Sequence, residues 1–222
     1  MCGRFYEFSP AKKIRETFSL AGIDLTIEPN YNIAPGQKVV AIVNQGQREA
    51  IHLRWGLIPV WAKDEKIGYK LINARSETAA DKPSFRSAFK SRRCLIVADG
   101  FYEWQKSGSA KRPFAFTLPD TQPFAMAGLY ENWQNPAGEQ IATCTVLTTS
   151  PNELVAAIHD RMPVILTPQA QEIWLDPEVN DREYLEPLLI PYSASSMLSY
   201  PVAPEVNSPQ NNHPGLIEPL IA

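Results

Sequence analysis

The stretch CLIVADGFYEWQKSGSAKRPFAFTL, residues 94–118, decides the fold class. Residues 94–98 are a short, wholly apolar run with β-branched members, which predicts a buried strand and makes Cys94 an inert core thiol. Asp99-Gly100 is a tight-turn pair leading into Phe101-Tyr102-Glu103-Trp104. Ser107-Gly108 then marks a hairpin into a further strand over 114–118. Strands joined by turns, with no helical period between them, pair antiparallel.

The same grammar extends outward. Strands are predicted at about 123–130 and 141–148, and at 39–43 and 51–55 with Gln45-Gly46 turning between them. Ile51, Leu53 and Trp55 alternate with His52 and Arg54, so His52 reads as a solvated strand residue. Ser9-Pro10 is a cap followed by proline, Ile14, Phe18 and Ala21 share a face, and Gly22 is a stop, which predicts a helix over 10–20. Two prolines and a glycine give PNYNIAPG, residues 29–36, a structured loop; 56–69 is irregular and carries Trp61 beside Lys63 and Lys66. A short helix over 84–90 brings Arg86, Lys90, Arg92 and Arg93 into the densest basic cluster. Ser150-Pro151-Asn152-Glu153 is a capping box for a helix over 151–158 that delivers His159-Asp160-Arg161-Met162-Pro163. A strand over 164–166, a helix from Thr167-Pro168 holding Trp174 and an acidic helix over 181–189 follow. The tail from 200 on, rich in Pro and Asn, reads as extended and surface-draped. There is no βαβ rhythm and no repeat. The expectation is one α+β domain over 1–222, built on a curved, mainly antiparallel sheet with flanking helices.

Composition narrows the chemistry. Three cysteines (Cys2, Cys94, Cys144) and three histidines at irregular positions form no disulfide framework and no metal-ligand spacing. No apolar run reaches membrane-spanning length and the start lacks a signal-peptide hydrophobic region, so a cytoplasmic protein with no membrane partner is expected. The net charge of −3 hides an asymmetry: residues 1–112 hold 19 Lys/Arg against 11 Asp/Glu, and 113–222 hold 2 against 13. A positive half can meet a polyanion while the acidic half faces away, although two opposite halves could also simply pack together. With no heptad or long amphipathic helix, a monomer is expected.

Met1-Cys2-Gly3-Arg4 opens the chain. A small residue at position 2 favours removal of the initiator methionine, which leaves Cys2 terminal. Its α-amine (pKa about 7.7–8.0) and thiol (about 8.5) are then nucleophiles on adjacent carbons. The pair can condense with an aldehyde to an imine and close to a five-membered thiazolidine, which an internal cysteine cannot do. Glu103, between Tyr102 and Trp104, is a carboxylate in an apolar setting, either a general acid or base with a raised pKa or a solvent-facing edge residue. His159 is a proton shuttle or a helix-capping histidine, and Asn73 either orients an amine or sits in a turn.

One ordered set of motifs joins these pieces. It runs MCGR, NIAPG at 32–36, RWG at 54–56, INARSET at 72–78, DGFYEW at 99–104, HDRMP at 159–163 and VNSP at 206–209. In this order they resemble the SOS response-associated peptidase (SRAP) family across essentially the whole chain. The resemblance implies a DNA-damage protein that crosslinks itself to abasic sites in single-stranded DNA, with no cofactor and no metal. Cys2 would be the nucleophile through nitrogen and sulfur, Asn73 would hold the sugar or the amine, Glu103 would transfer protons, and His159 would stabilise the imine and assist reversal. Arg4, Arg75 and Arg161 would face phosphates, and Trp104 would stack beside the lesion. The family name preserves a second reading, a thiol peptidase, including a lyase- or hydrolase-like enzyme that only releases its own Met1; a third is a non-covalent reader of single-stranded or modified DNA.

Overall fold

The computed structural model describes residues 2–108 and 110–220. In chain order the first elements are β1 (Phe5–Glu7), α1 (Ala11–Thr17), β2 (Asn30–Ile33), β3 (Lys38–Asn44), β4 (Arg48–Trp55), β5 (Asn73–Arg75), α2 (Ser76–Ala79) and α3 (Arg86–Ser91). Then come β6 (Arg93–Ala98), β7 (Gly100–Ser107), β8 (Ala110–Thr117), β9 (Phe124–Gln134), β10 (Gln140–Thr149) and α4 (Glu153–Ala156). The last are β11 (Met162–Pro163), β12 (Ile165–Leu166), α5 (Pro168–Leu175), α6 (Arg182–Leu185) and β13 (Leu198–Pro201). The class is α+β, mostly sheet.

The strands divide between two sheets. One runs β13-β8-β7-β1-β2, all antiparallel. In the other, β10, β4, β3, β6 and β9 pair in turn and β9 pairs back onto β10, so the sheet closes on itself. Closure removes the exposed edge that an open sheet would present. Parallel pairing occurs where β10 meets β4 and β5. Asp99-Gly100 is therefore not a hairpin turn within one sheet but the step from β6 in the closed sheet to β7 in the other. A Cβ on Gly100 would lie 2.1 Å from the Tyr6 hydroxyl and 2.6 Å from the Phe116 carbonyl, so only glycine fits there.

Other expectations change for local reasons. Ser9 does not cap α1; its hydroxyl donates to Asp99, whose carboxylate also accepts from the Phe8 and Ser9 amides. The helix stops at Thr17, and the left-handed residue beyond it is Ser19 (φ 53°) rather than Gly22. Asn152, not Ser150, caps α4, accepting from the Val155 amide. Thr167 does cap α5 as expected. Residues 65–70 form a short 3-10 helix inside the stretch predicted to be irregular. The basic cluster is divided: Arg86 and Lys90 are exposed, but Arg93 is buried and donates to the carbonyls of Phe89, Lys90, Trp174, Asp176 and Val179, while Arg92 pairs with Glu131. Nor is the tail merely draped. β13 adds to β8, and Val202, Val206 and Leu216 pack with Tyr6, Tyr102 and Ala115 as a third core.

Glu7 at the end of β1 carries a stability prediction. Burial, then the Asp99 charge, pushes its pKa up from 4.5 to about 8, and its Oε1 is buried with no hydrogen-bond partner among the described residues. The folded state thus prefers the neutral carboxyl, and ionisation destabilises it progressively as pH rises from about 4.5 to about 8. Glu7→Gln keeps an acceptor for the Val40 amide and removes that penalty. Its melting temperature should match wild type near pH 4.5 and exceed it near pH 9, because each tenfold loss of acidity on folding costs the ionised form about 1.4 kcal/mol. A gap that stays constant with pH in a thermal-shift series means Glu7 titrates normally.

Candidate functional site

The site lies where β1 and β7 of the open sheet face the rim strand β5. Cys2 precedes β1, and its side chain packs in a core with Phe5, Trp55, Phe101 and Val146, fully buried. Its Sγ–H points at the Arg4 carbonyl, 3.8 Å away. Burial, then the negative charge of Glu103, pushes the thiol far above its ordinary range.

β5 runs parallel to β10 with Asn73 opposite Val146, and this register aims Asn73 at the chain start. Asn73 Nδ2 donates to the Cys2 carbonyl at 2.7 Å, while Asn73 Oδ1 is buried with no partner among the described residues. On β7, Glu103 is 2% exposed. Burial raises its pKa to about 7, against the opposing pull of the amino-terminal charge and with help from Asp160. Its Oε1 is also buried, with no hydrogen-bond partner among the described residues, and Oε2 is 3.8 Å from His159 Nε2.

His159 follows α4, with its amide bonded to the Val155 carbonyl. Burial lowers its pKa, so the ring is neutral at pH 7. The Arg161 amide donates to Nδ1 at 3.1 Å, which leaves the proton on Nε2, facing Glu103. The Arg161 carbonyl at 3.3 Å and the Asp160 carboxylate at 3.1 Å from Nδ1 favour the opposite tautomer, but Asp160 is 87% exposed and water weakens its pull.

A cleft of about 440 Å³ opens onto Glu103 and His159 and is also lined by Arg4, Trp104, Lys106 and Asn207 among others. The Arg4 guanidinium lies over the Trp104 ring, 5.9 Å from its centroid. Arg75 is solvent-exposed at the end of β5. Arg161 stands apart: its two terminal nitrogens grip Glu77 at 2.7 and 2.9 Å, and one also donates to the Thr148 carbonyl. That fork is occupied by protein. The structure thus brings Cys2, Asn73, Glu103 and His159 together with Arg4 and Trp104, and leaves Arg75 and Arg161 on the flank.

The stretch carrying Trp61, Lys63 and Lys66 forms a surface to which sequence reasoning gave no role. Trp61 and Tyr69 are 55% and 57% exposed, Lys63, Lys66 and Lys70 are exposed beside them, and Trp61 and the lysines line one shallow hollow. Exposed aromatics interleaved with lysines were the available signal. The chain runs from Lys70 through two residues into Asn73. Among the described residues no group of three or more His, Cys, Asp or Glu is placed to hold a metal, and no helix is long and apolar enough to cross a membrane.

The sequence model of the family described as SOS response associated peptidase (SRAP) matches residues 1–209. The chain belongs to the SRAP family. A SRAP relative, abasic site processing protein YoqW of Bacillus subtilis, is 51% identical over 222 residues, covering 98% of this chain and 99% of its own length. Abasic site processing protein HMCES of Gallus gallus is 33% identical over 86% of this chain and 66% of its own. A crystal structure of a protein from Bacteroides thetaiotaomicron superposes with a TM-score of 0.90 at 27% identity, covering 99% of this chain and all of the other. The two-sheet arrangement is thus found in a solved structure as well.

Proposed function

We propose that this SRAP protein processes abasic sites in single-stranded DNA by capturing them covalently through Cys2. The observation that carries the reading is the convergence on Cys2: the Asn73 amide grips its carbonyl, and a buried carboxyl with a pKa near neutrality faces His159 beside it. The names of two relatives, abasic site processing proteins, supply the substrate class.

An abasic deoxyribose is partly an open-chain aldehyde. Once Met1 is removed, the Cys2 amine adds to that carbon to form a carbinolamine, and loss of one water leaves an imine. The sulfur then adds to the imine carbon, and the thiol proton ends on nitrogen. No oxidant or second substrate is consumed. The amine acts first, which suits a thiol held neutral by burial until Glu103 accepts its proton. Asn73 Oδ1, buried and without a partner among the described residues, is an acceptor for the amine or for a sugar hydroxyl. A thiol peptidase needs a resting thiolate, and the burial of Cys2 works against one.

The strand would lie in the cleft and over the Trp61 surface, with bases on Trp104 and Trp61 and phosphates on Arg4, Arg75 and the lysines. Incubation with an abasic oligonucleotide should give a Cys2 adduct heavier by the strand less one water, located by peptide mass spectrometry. An adduct on a lysine, or none, defeats the proposal.

Affinity for intact single strands should fall steeply with salt, log K against log salt declining by about 0.7 for each phosphate contacted. Arg75→Ala should reduce that slope by roughly one contact and weaken binding equally across sequences. A salt-insensitive affinity places the DNA elsewhere.

A further inference from the structure

One buried side chain of β2 bonds the C-terminal strap, residues 206–212, at several points. Asn32 is 1% exposed, and its Nδ2 donates to the carbonyls of Ser208 and Asn211, each at 2.9 Å, with a longer contact of 3.3 Å to Val206. Its Oδ1 accepts from Arg4 Nη1 at 2.7 Å, and the same nitrogen donates to the Val206 carbonyl at 2.9 Å. The Tyr31 amide adds a bond to Asn212 Oδ1 at 2.8 Å. The strap reaches the cleft at Asn207, whose Oδ1 accepts from the Trp104 indole N–H at 2.7 Å. An indole nitrogen only donates, so the Asn207 atom facing it is the oxygen. The Asn207 NH₂ remains to be offered to the cleft that the residue lines.

We propose that Asn32 is a positioning residue for DNA binding, which sets the strap so that Arg4 and Trp104 are held ready, and that Asn207 is a DNA-contacting residue that donates its amide to a phosphate or base acceptor. The inference rests on the reading that the strand lies in this cleft. It follows from two features that meet at one point. Arg4 carries a charge whose direction is set by Asn32 and by a strap carbonyl. Trp104 has its ring angle set by the strap's next residue. Neither would keep that geometry with the strap displaced: the partners of Arg4 are Asn32 itself and the Val206 carbonyl, and the partner of Trp104, Asn207, lies between Val206 and Ser208, whose carbonyls Asn32 bonds. A flexible arginine and a freely rotating tryptophan would have to be ordered at the moment of binding, which weakens affinity without touching Cys2, Asn73, Glu103 or His159.

The test is a double-mutant cycle on affinity for an intact single-stranded oligonucleotide, with single-turnover crosslinking of an abasic strand as the second readout. Asn32→Ala should raise the half-saturating DNA concentration about tenfold and leave the rate at saturation within about twofold. Combined with Arg4→Ala, it should add far less than its single effect, whereas combined with Arg75→Ala the two should multiply. Asn32→Asp keeps the acceptor for Arg4 and loses every donor to the strap, so a loss like that of Asn32→Ala assigns the effect to the strap. Asn207→Leu leaves the Asn32 bonds in place and serves if Asn32 variants fail to fold; it should also weaken binding about tenfold. Effects of Asn32→Ala that multiply equally with Arg4→Ala and Arg75→Ala, or wild-type affinity in Asn207→Leu, overturn the proposal. A wild-type protein that binds no oligonucleotide defeats the DNA reading itself, an outcome distinct from both.

Discussion

A short extension that cannot be cleaved from the amino terminus abolishes crosslinking to abasic DNA and leaves affinity for intact single strands nearly unchanged. The expectation follows from bond chemistry rather than from geometry alone. An acylated nitrogen has no free lone pair for the aldehyde, so no carbinolamine forms and the sulfur has no imine to attack. The thiol cannot substitute, because burial and the Glu103 charge hold it protonated, and a thiol adding directly to an aldehyde gives only a reversible hemithioacetal. The DNA-facing groups proposed here, Arg4, Arg75 and Trp104, keep their places, so binding should survive. Cys2→Ala separates the two nucleophiles: the terminal amine of alanine still forms an imine that borohydride traps, but nothing closes the ring. Denaturing gels with and without borohydride, backed by intact mass, read all three proteins. A blocked protein that still yields a heat- and detergent-stable adduct removes the terminal aminothiol from the mechanism.

Local signals made the strands and the start of α5 legible, because alternation, turn pairs and caps act within a few residues. Ile51, Leu53 and Trp55 alternate because one side of β4 faces the core, and Thr167-Pro168 starts a helix because its cap bond spans three residues. Long-range closure was not legible. Nothing near Asp99-Gly100 tells a turn within a sheet from a step between sheets; the difference lies in β9 and β10 closing the sheet behind it. Nothing local separates Arg93 from the basic residues around it, yet five carbonyls accept from it, two from the adjacent α3 and three from the distant segment 174–179. Ser9 was drawn from its cap by Asp99, and the tail from the surface by Tyr6 and Tyr102. For the site, the burial of Glu103 was readable from its neighbours, but its place beside His159 and the bond from Asn73 to Cys2 join residues far apart in sequence. The pairing of Arg161 with Glu77 was equally hidden, since each residue alone suits a phosphate site or a surface.

Glu103→Gln should slow crosslink formation about 10²–10⁴-fold, the usual contribution of general acid–base catalysis. Opening the sugar ring removes a proton from a hydroxyl, dehydrating the carbinolamine adds one to a leaving hydroxyl, and ring closure takes one from sulfur. A single carboxyl can serve all three only if both of its forms are populated, and burial puts the Glu103 pKa at about 7, where they are. His159, neutral at that pH with Nε2 turned towards Glu103, is placed to share the proton. The wild-type rate should therefore bend near pH 7 with an apparent value belonging to the pair, and that bend should vanish in Glu103→Gln. Gln keeps the size and polarity of the side chain but cannot exchange a proton, and DNA affinity should hold or rise slightly, because a negative charge is removed from a cleft that receives a polyanion. His159→Ala should slow formation modestly and reversal more strongly, since the imine forms again on the way back. Single-turnover crosslinking over pH 5.5–8.5 with borohydride quenching counts imine and closed product separately. A Glu103→Gln protein that crosslinks at the wild-type rate across that range makes the carboxyl a structural group.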